Sequence, residues 1–148
     1  MRNKPPPAVL LASPDDVEAQ FYEALQRGDL ARLMAVWADD DEIVCVHPGG
    51  GRVIGPAAIH AAFDAIFGNG VIPVQPEHVH RLHTMGSAVH HLVERISITT
   101  AEGVQTGWEL ATNVYVKTPL GWRMVAHHAS PGGPQEMPVP GDAPSTLH

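Results

Sequence analysis

The apolar residues of this chain change their spacing once, and that change constrains the fold more than any other feature. Up to Gly70 the spacing is helical apart from one short extended stretch. Beyond it, four long stretches carry apolar and polar residues in alternation, separated only by short turns. Ser13-Pro14-Asp15-Asp16 has the form of a helix start, with Ser13 as N-cap, Pro14 in the first position and acids following. Val17, Phe21, Ala24 and Leu25 then share a face, and Gly28 ends the helix. Asp29 caps a second helix with Leu30, Leu33, Met34 and Trp37 as its stripe. Gly55-Pro56 opens a third, carrying Ile59, Phe63, Ile66 and Phe67 until Gly68-Asn69-Gly70 stops it.

Between the second and third helices, residues 43–47 read as a short strand followed by a flexible Gly49-Gly50-Gly51 turn. The later stretches predict strands over 77–84, 87–100, 104–117 and 121–129. Their short connections make an antiparallel meander. Helices followed by such a sheet predict an α+β domain over 13–131 with the helices on one sheet face. In the third long strand Trp108, Leu110, Thr112, Val114 and Val116 form one face, and Glu109, Ala111, Asn113 and Tyr115 the other. Apolar residues on the face away from the helices need a cover, which predicts a homodimer through that face.

Residues 1–12 and 132–148 read as tails, rich in proline and without apolar period. A chain of 148 residues, 44% hydrophobic, has enough apolar mass for one core. The net charge of −7 and the lack of any basic run argue against nucleic-acid binding. A single cysteine, Cys45, forms no intramolecular disulfide, and the apolar run 8–12 is shorter than a signal peptide requires. No stretch approaches the roughly 20 apolar residues of a membrane span, so a soluble cytoplasmic protein is expected.

Ten histidines raise the question of chemistry. His47 and the pair His127-His128 fall where strands run out into Pro/Gly turns, and imidazole transfers protons near neutral pH. Cys45 shares a strand face with His47 and reads as a small buried residue rather than a nucleophile. The glycine triplet lacks the spacing of a nucleotide loop, so no cofactor is expected. Zinc needs three or four convergent ligands; His47, His128 and one glutamate would suffice, but no ligand-spacing motif accompanies them, and no metal is expected. His78 and His80 read as a surface or dimer-facing pair.

Several segments together resemble the NTF2-like superfamily, in the branch of SnoaL-like polyketide cyclases and ketosteroid isomerases. They are Phe21-Tyr22-Glu23-Ala24-Leu25-Gln26-Arg27-Gly28-Asp29-Leu30, Trp37-Ala38-Asp39-Asp40, His47-Pro48, Gly55-Pro56-Ala57-Ala58-Ile59 and Gly121-Trp122-Arg123-Met124-Val125. The resemblance covers residues 14–131 and implies a cone: a strongly curved antiparallel sheet wrapped by three N-terminal helices around an apolar pocket. It places His47 where the isomerases hold an Asp base, Asn113 where they hold a protonated Asp, and Phe21 where they hold a Tyr oxyanion donor. Phe21 has no hydroxyl, which leaves that donor missing unless Tyr22 turns inward.

The resemblance also implies that Met124, Ala126, His128 and Ser130 point inward, and that His127 faces the dimer interface. The expected site therefore has His47 as general base, Asn113 as polar donor and His128 as second proton carrier. Phe21, Trp37, Phe63, Ile66 and Met124 supply wall. Glu94 is weakly favoured inward with His90, Leu92 and Ile96, and Glu109 shares the Asn113 face. The function expected is proton transfer (isomerisation, cyclisation, dehydration or hydrolysis) on an apolar carbonyl or polycyclic compound, and a classical steroid isomerase is disfavoured. The alternatives are a non-catalytic ligand-binding module and a dimerisation domain.

Overall fold

A computed structural model describes residues 11–133. The predicted tails fall almost wholly outside them. Leu11, Ala12, Gly132 and Gly133 are the exceptions, and Leu11 is buried and bridges to Gly121, with the Trp122 amide donating to its carbonyl at 2.8 Å.

Helix α1 spans Pro14–Arg27 and starts as its sequence dictates, the Ser13 hydroxyl accepting from the Asp16 amide. Gly28 closes it at φ 65°, in the left-handed region glycine enters without strain. Asp29 caps α2, Leu30–Ala35, through its carboxylate and the Arg32 amide. Strands β1, Val44–Val46, and β2, Arg52–Ile54, form a short hairpin before α3, Pro56–Phe67. Strand β2 lies within the stretch read only as a turn leading to the third helix. Strands β3, Val74–His83, β4, Ser87–Thr100, β5, Gly103–Thr118, and β6, Gly121–Pro131, follow as the meander the alternation predicts.

The six strands make one curved sheet in the order β2-β1-β6-β5-β4-β3. It is antiparallel throughout except where β1 runs parallel to β6, which puts Cys45 beside His127 and Val46 beside His128. The helices cover its concave side, with α1 packed against β3, β5 and β6. Ala88, His90, Leu92 and Glu94 of β4, and Ala111, Asn113 and Tyr115 of β5, are buried there. Phe21, Tyr22, Leu33, Ile59 and Phe63 meet them from the helices. Among the described residues no helix is long and apolar enough to cross a membrane.

Two irregularities shift side-chain parity. In β3 the register slips between Glu77 and His80, around His78 at φ 52°. In β6, Met124 pairs with Tyr115 and Ala126 with Val114, leaving Val125 as an extra residue. This bulge falls where the free edge of β6 changes partner. Met124 exchanges hydrogen bonds with Val36 and Ala38, whereas Ala126 lies beside Val44 of β1. One extra residue reverses every side chain beyond it.

Candidate functional site

That reversal decides which histidine enters the interior. Beyond Val125, His127 and Ala129 are buried and His128 is exposed. The expectation that His128 faces inward and His127 outward is therefore corrected, because strict alternation from Met124 overlooks the bulge.

His127 anchors a hydrogen-bonded chain of buried polar groups. Its Nδ1 lies 2.5 Å from Asn113 Oδ1. Asn113 Nδ2 donates to the Tyr22 hydroxyl at 3.0 Å, and that hydroxyl donates to Glu94 Oε2 at 2.7 Å. The amide oxygen only accepts, so Nδ1 of His127 carries the proton and Nε2 is left as a lone pair. Each link satisfies a group that would be costly to bury alone. Phe21, where the resemblance to the isomerases implies a hydroxyl donor, packs its ring 4.9 Å from His127, and the hydroxyl in this network is that of its neighbour Tyr22.

A cavity of about 210 Å³ opens beside this chain. Of the residues expected to form the site, Phe21, His47, Phe63, Ile66, Glu94 and Glu109 line it. His127 lines it as well, together with Ile96, expected on the inward face with Glu94, and apolar wall from Leu25, Ile72 and Val74 that was not expected there. Asn113 and Tyr22 stand behind the wall, hydrogen-bonded to His127 and Glu94. Trp37 and Met124 do not line it. They bridge to one another in the core, where Met124 leaves the bulge and meets the chain after α2.

Burial sets the protonation of these groups. His127 is pushed down to about 3, first by desolvation and then by the neighbouring His47 and His128. His47, half-buried just after β1 with its ring against Phe63, is lowered by desolvation. Glu94 moves the other way, up to about 8. Desolvation is the main cause and the facing Glu109 adds to it, against the opposing effect of the Tyr22 hydrogen bond. The two glutamates are direct cross-strand partners, a placement in which two charges repel. At neutral pH the pocket thus offers two neutral imidazoles and a protonated carboxyl. Cys45 Sγ lies 3.7 Å from His47 Nε2, and burial raises its thiol to about 12, so it is no nucleophile. Among the described residues, the histidines and carboxylates of the pocket do not bring three donor atoms together as a metal site would need.

Sheet, helices and pocket define a class of protein. Residues 15–134 match the family model of the SnoaL-like domain, and the chain belongs to that family, with the NTF2-like fold. It is similar to a structure from Thiobacillus denitrificans, provisionally described as a calcium/calmodulin-dependent protein kinase type II association domain. The two share 35% identity over 84% of this chain and 99% of that one, at a TM-score of 0.77. A provisionally assigned dehydratase of the NTF2-like family from Streptomyces avermitilis shares 29% identity, over 78% of this chain and 91% of that one, with a TM-score of 0.71. A CaMKII hub from S. rosetta, at 19% identity and a TM-score of 0.64 over 82% and 98% of the two chains, shares the fold. No curated protein matches the sequence.

Proposed function

We propose that the pocket catalyses acid–base proton transfer, an isomerisation or dehydration, on a small uncharged carbonyl compound. The observation that carries this reading is that one cavity is lined by both kinds of group: His47 and His127, which burial keeps neutral, and Glu94, whose carboxyl burial keeps protonated. Removing a proton beside a carbonyl needs a base, and the developing enolate or leaving hydroxide needs an acid. His47 is the base. His127, held near 3, is too weak a base for that step and instead orients a hydroxyl-bearing substrate, whose O–H donates to Nε2. Glu94 supplies the proton, and Asn113 and Tyr22 hold both groups in place.

Size and charge narrow the substrate. A cavity of about 210 Å³ is smaller than the roughly 300 Å³ at which pockets for drug-sized ligands begin, which disfavours a polycyclic compound. Among the described residues no lysine or arginine lines it, which disfavours an anion.

The test is exchange of α-protons for deuterium in a panel of small ketones and β-hydroxyketones, followed by NMR. The chain should catalyse exchange, and His47→Ala should slow it about 100-fold or more while ligand affinity changes little. Binding without exchange in the unmodified chain would leave a ligand-binding module. The similarity to an association domain along nearly its whole length favours a second reading, in which the outer sheet face mediates assembly. Self-association with neither binding nor exchange would establish it.

A further inference from the structure

A polar row crosses the concave face of the sheet through cross-strand partners. Arg81 of β3 lies opposite His90 of β4, His90 opposite Asn113, and Asn113 opposite His127. The Asn113–His127 half serves the pocket. The Arg81–His90 half meets the first turn of α1 and takes no part there.

We propose that Asp15, His83 and His90 bind one divalent transition-metal ion, with Glu18 fixing the His90 ring. His90 is fully buried, and its Nδ1 lies 3.0 Å from Glu18 Oε1. A carboxylate accepts, so Nδ1 carries the proton and Nε2 presents its lone pair. This is the arrangement by which an outer carboxylate orients a metal-binding imidazole. His90 Nε2 faces two further donors: His83 Nε2 at 2.9 Å and Asp15 Oδ1 at 3.9 Å. Neighbouring ligands on one ion sit about 3 to 3.4 Å apart at ordinary metal–nitrogen distances. The His90–His83 pair is close to that spacing, the His90–Asp15 pair lies about half an ångström beyond it, and side-chain shifts of His83 and Asp15 bring the third pair together. His83 and Asp15 are exposed enough to make them.

In the empty site a proton lies between the two Nε2 atoms. An ion takes its place when His83 carries its proton on Nδ1 instead. Two imidazoles and one carboxylate suit zinc, cobalt or nickel rather than calcium or magnesium. The cation now at Asp15 is Arg81, whose Nε donates to Oδ1 at 2.8 Å. Its side chain is 43% exposed and can swing into solvent when a metal ion displaces it. The site joins the start of α1 to the ends of β3 and β4, so the bound ion ties helix to sheet.

The experiment is a titration of the full chain with cobalt(II), followed by visible absorption and by calorimetry. One equivalent should bind, with ligand-field bands and a raised melting temperature. His83→Ala and Asp15→Asn, both at exposed positions that leave the core intact, should each weaken binding at least ten-fold. Glu18→Gln, which keeps an acceptor for Nδ1 but removes the charge, should weaken it about 10- to 100-fold. Arg81→Gln should tighten it by removing the competing cation. The proposal is overturned if cobalt does not bind. It is overturned equally if binding is unchanged in both His83→Ala and Asp15→Asn, which would assign the ion to surface histidines such as His78 and His80.

Discussion

At the scale of single residues, Glu94 and His127 make opposite demands on pH. Glu94 rises from an ordinary 4.5 to about 8, so the folded chain holds a proton that the unfolded chain releases between those values. Its contribution to stability is complete below about 4.5 and is lost as pH rises toward 8. His127 falls from 6.5 to about 3, so its contribution is complete above 6.5 and is lost as pH falls toward 3. Between 4.5 and 6.5 the two slopes oppose each other, which places the stability maximum in that window. Melting temperature measured against pH should therefore decline from about pH 6.5 to 8. Glu94→Gln, which still accepts from Tyr22, should flatten that alkaline decline and leave the acid limb in place. A decline that persists in the variant would show that other groups cause it.

At the scale of elements, the sequence revealed most where local chemistry acts alone. Ser13, Gly28 and Asp29 cap their helices as expected because a cap needs only a few neighbouring residues. The alternation in β5 likewise puts Glu109 on the face of Asn113, whereas for Glu94 only the resemblance favours the inward side, and weakly; both glutamates line the cavity. The failures all come from partners distant in sequence. The Val125 bulge arises because β6 trades the segment after α2 for β1, and nothing local to Met124-Val125-Ala126 announces it. Tyr22 gave a weaker signal: it lies one turn beyond Glu18, a buried acid on the apolar stripe of α1. A charged residue on such a stripe marks a polar interior that the helix must serve. The bulge makes a direct prediction for the adjacent histidines. His127→Ala strips Asn113 Oδ1 of its buried partner and should cost about 1–3 kcal/mol in urea unfolding. His128→Ala, at an exposed position, should stay within about 0.5 kcal/mol. Equal effects at the two sites would contradict the parity that the bulge imposes.

At the scale of the whole molecule, the sheet has one face closed by helices and one left apolar. On the outer side, Val89 lies opposite Val114, Val93 opposite Leu110 and Arg95 opposite Trp108, all only half-buried. An antiparallel sheet can turn one face to water when that face is polar, and this one carries apolar pairs on both sides of its polar Thr112 row. The histidines there, His91 and His128, are exposed and lie opposite Thr112 on either side of β5. A second copy across this face would bury the valines and Trp108 while the pockets stay open on the far side of each sheet. A stable dimer of this kind would remove roughly 1,200–2,000 Å² from water in total. Sedimentation velocity should then show a dimer for the unmodified chain. Val114→Glu places a charge at the centre of the face, where burial without a partner is costly, and should yield a monomer. Because Val114 points away from the cavity, that monomer should keep the His47, Glu94 and His127 arrangement and the proposed α-proton exchange. A monomeric unmodified chain would refute the dimer, and a Val114→Glu monomer without α-proton exchange would show that the pocket depends on assembly.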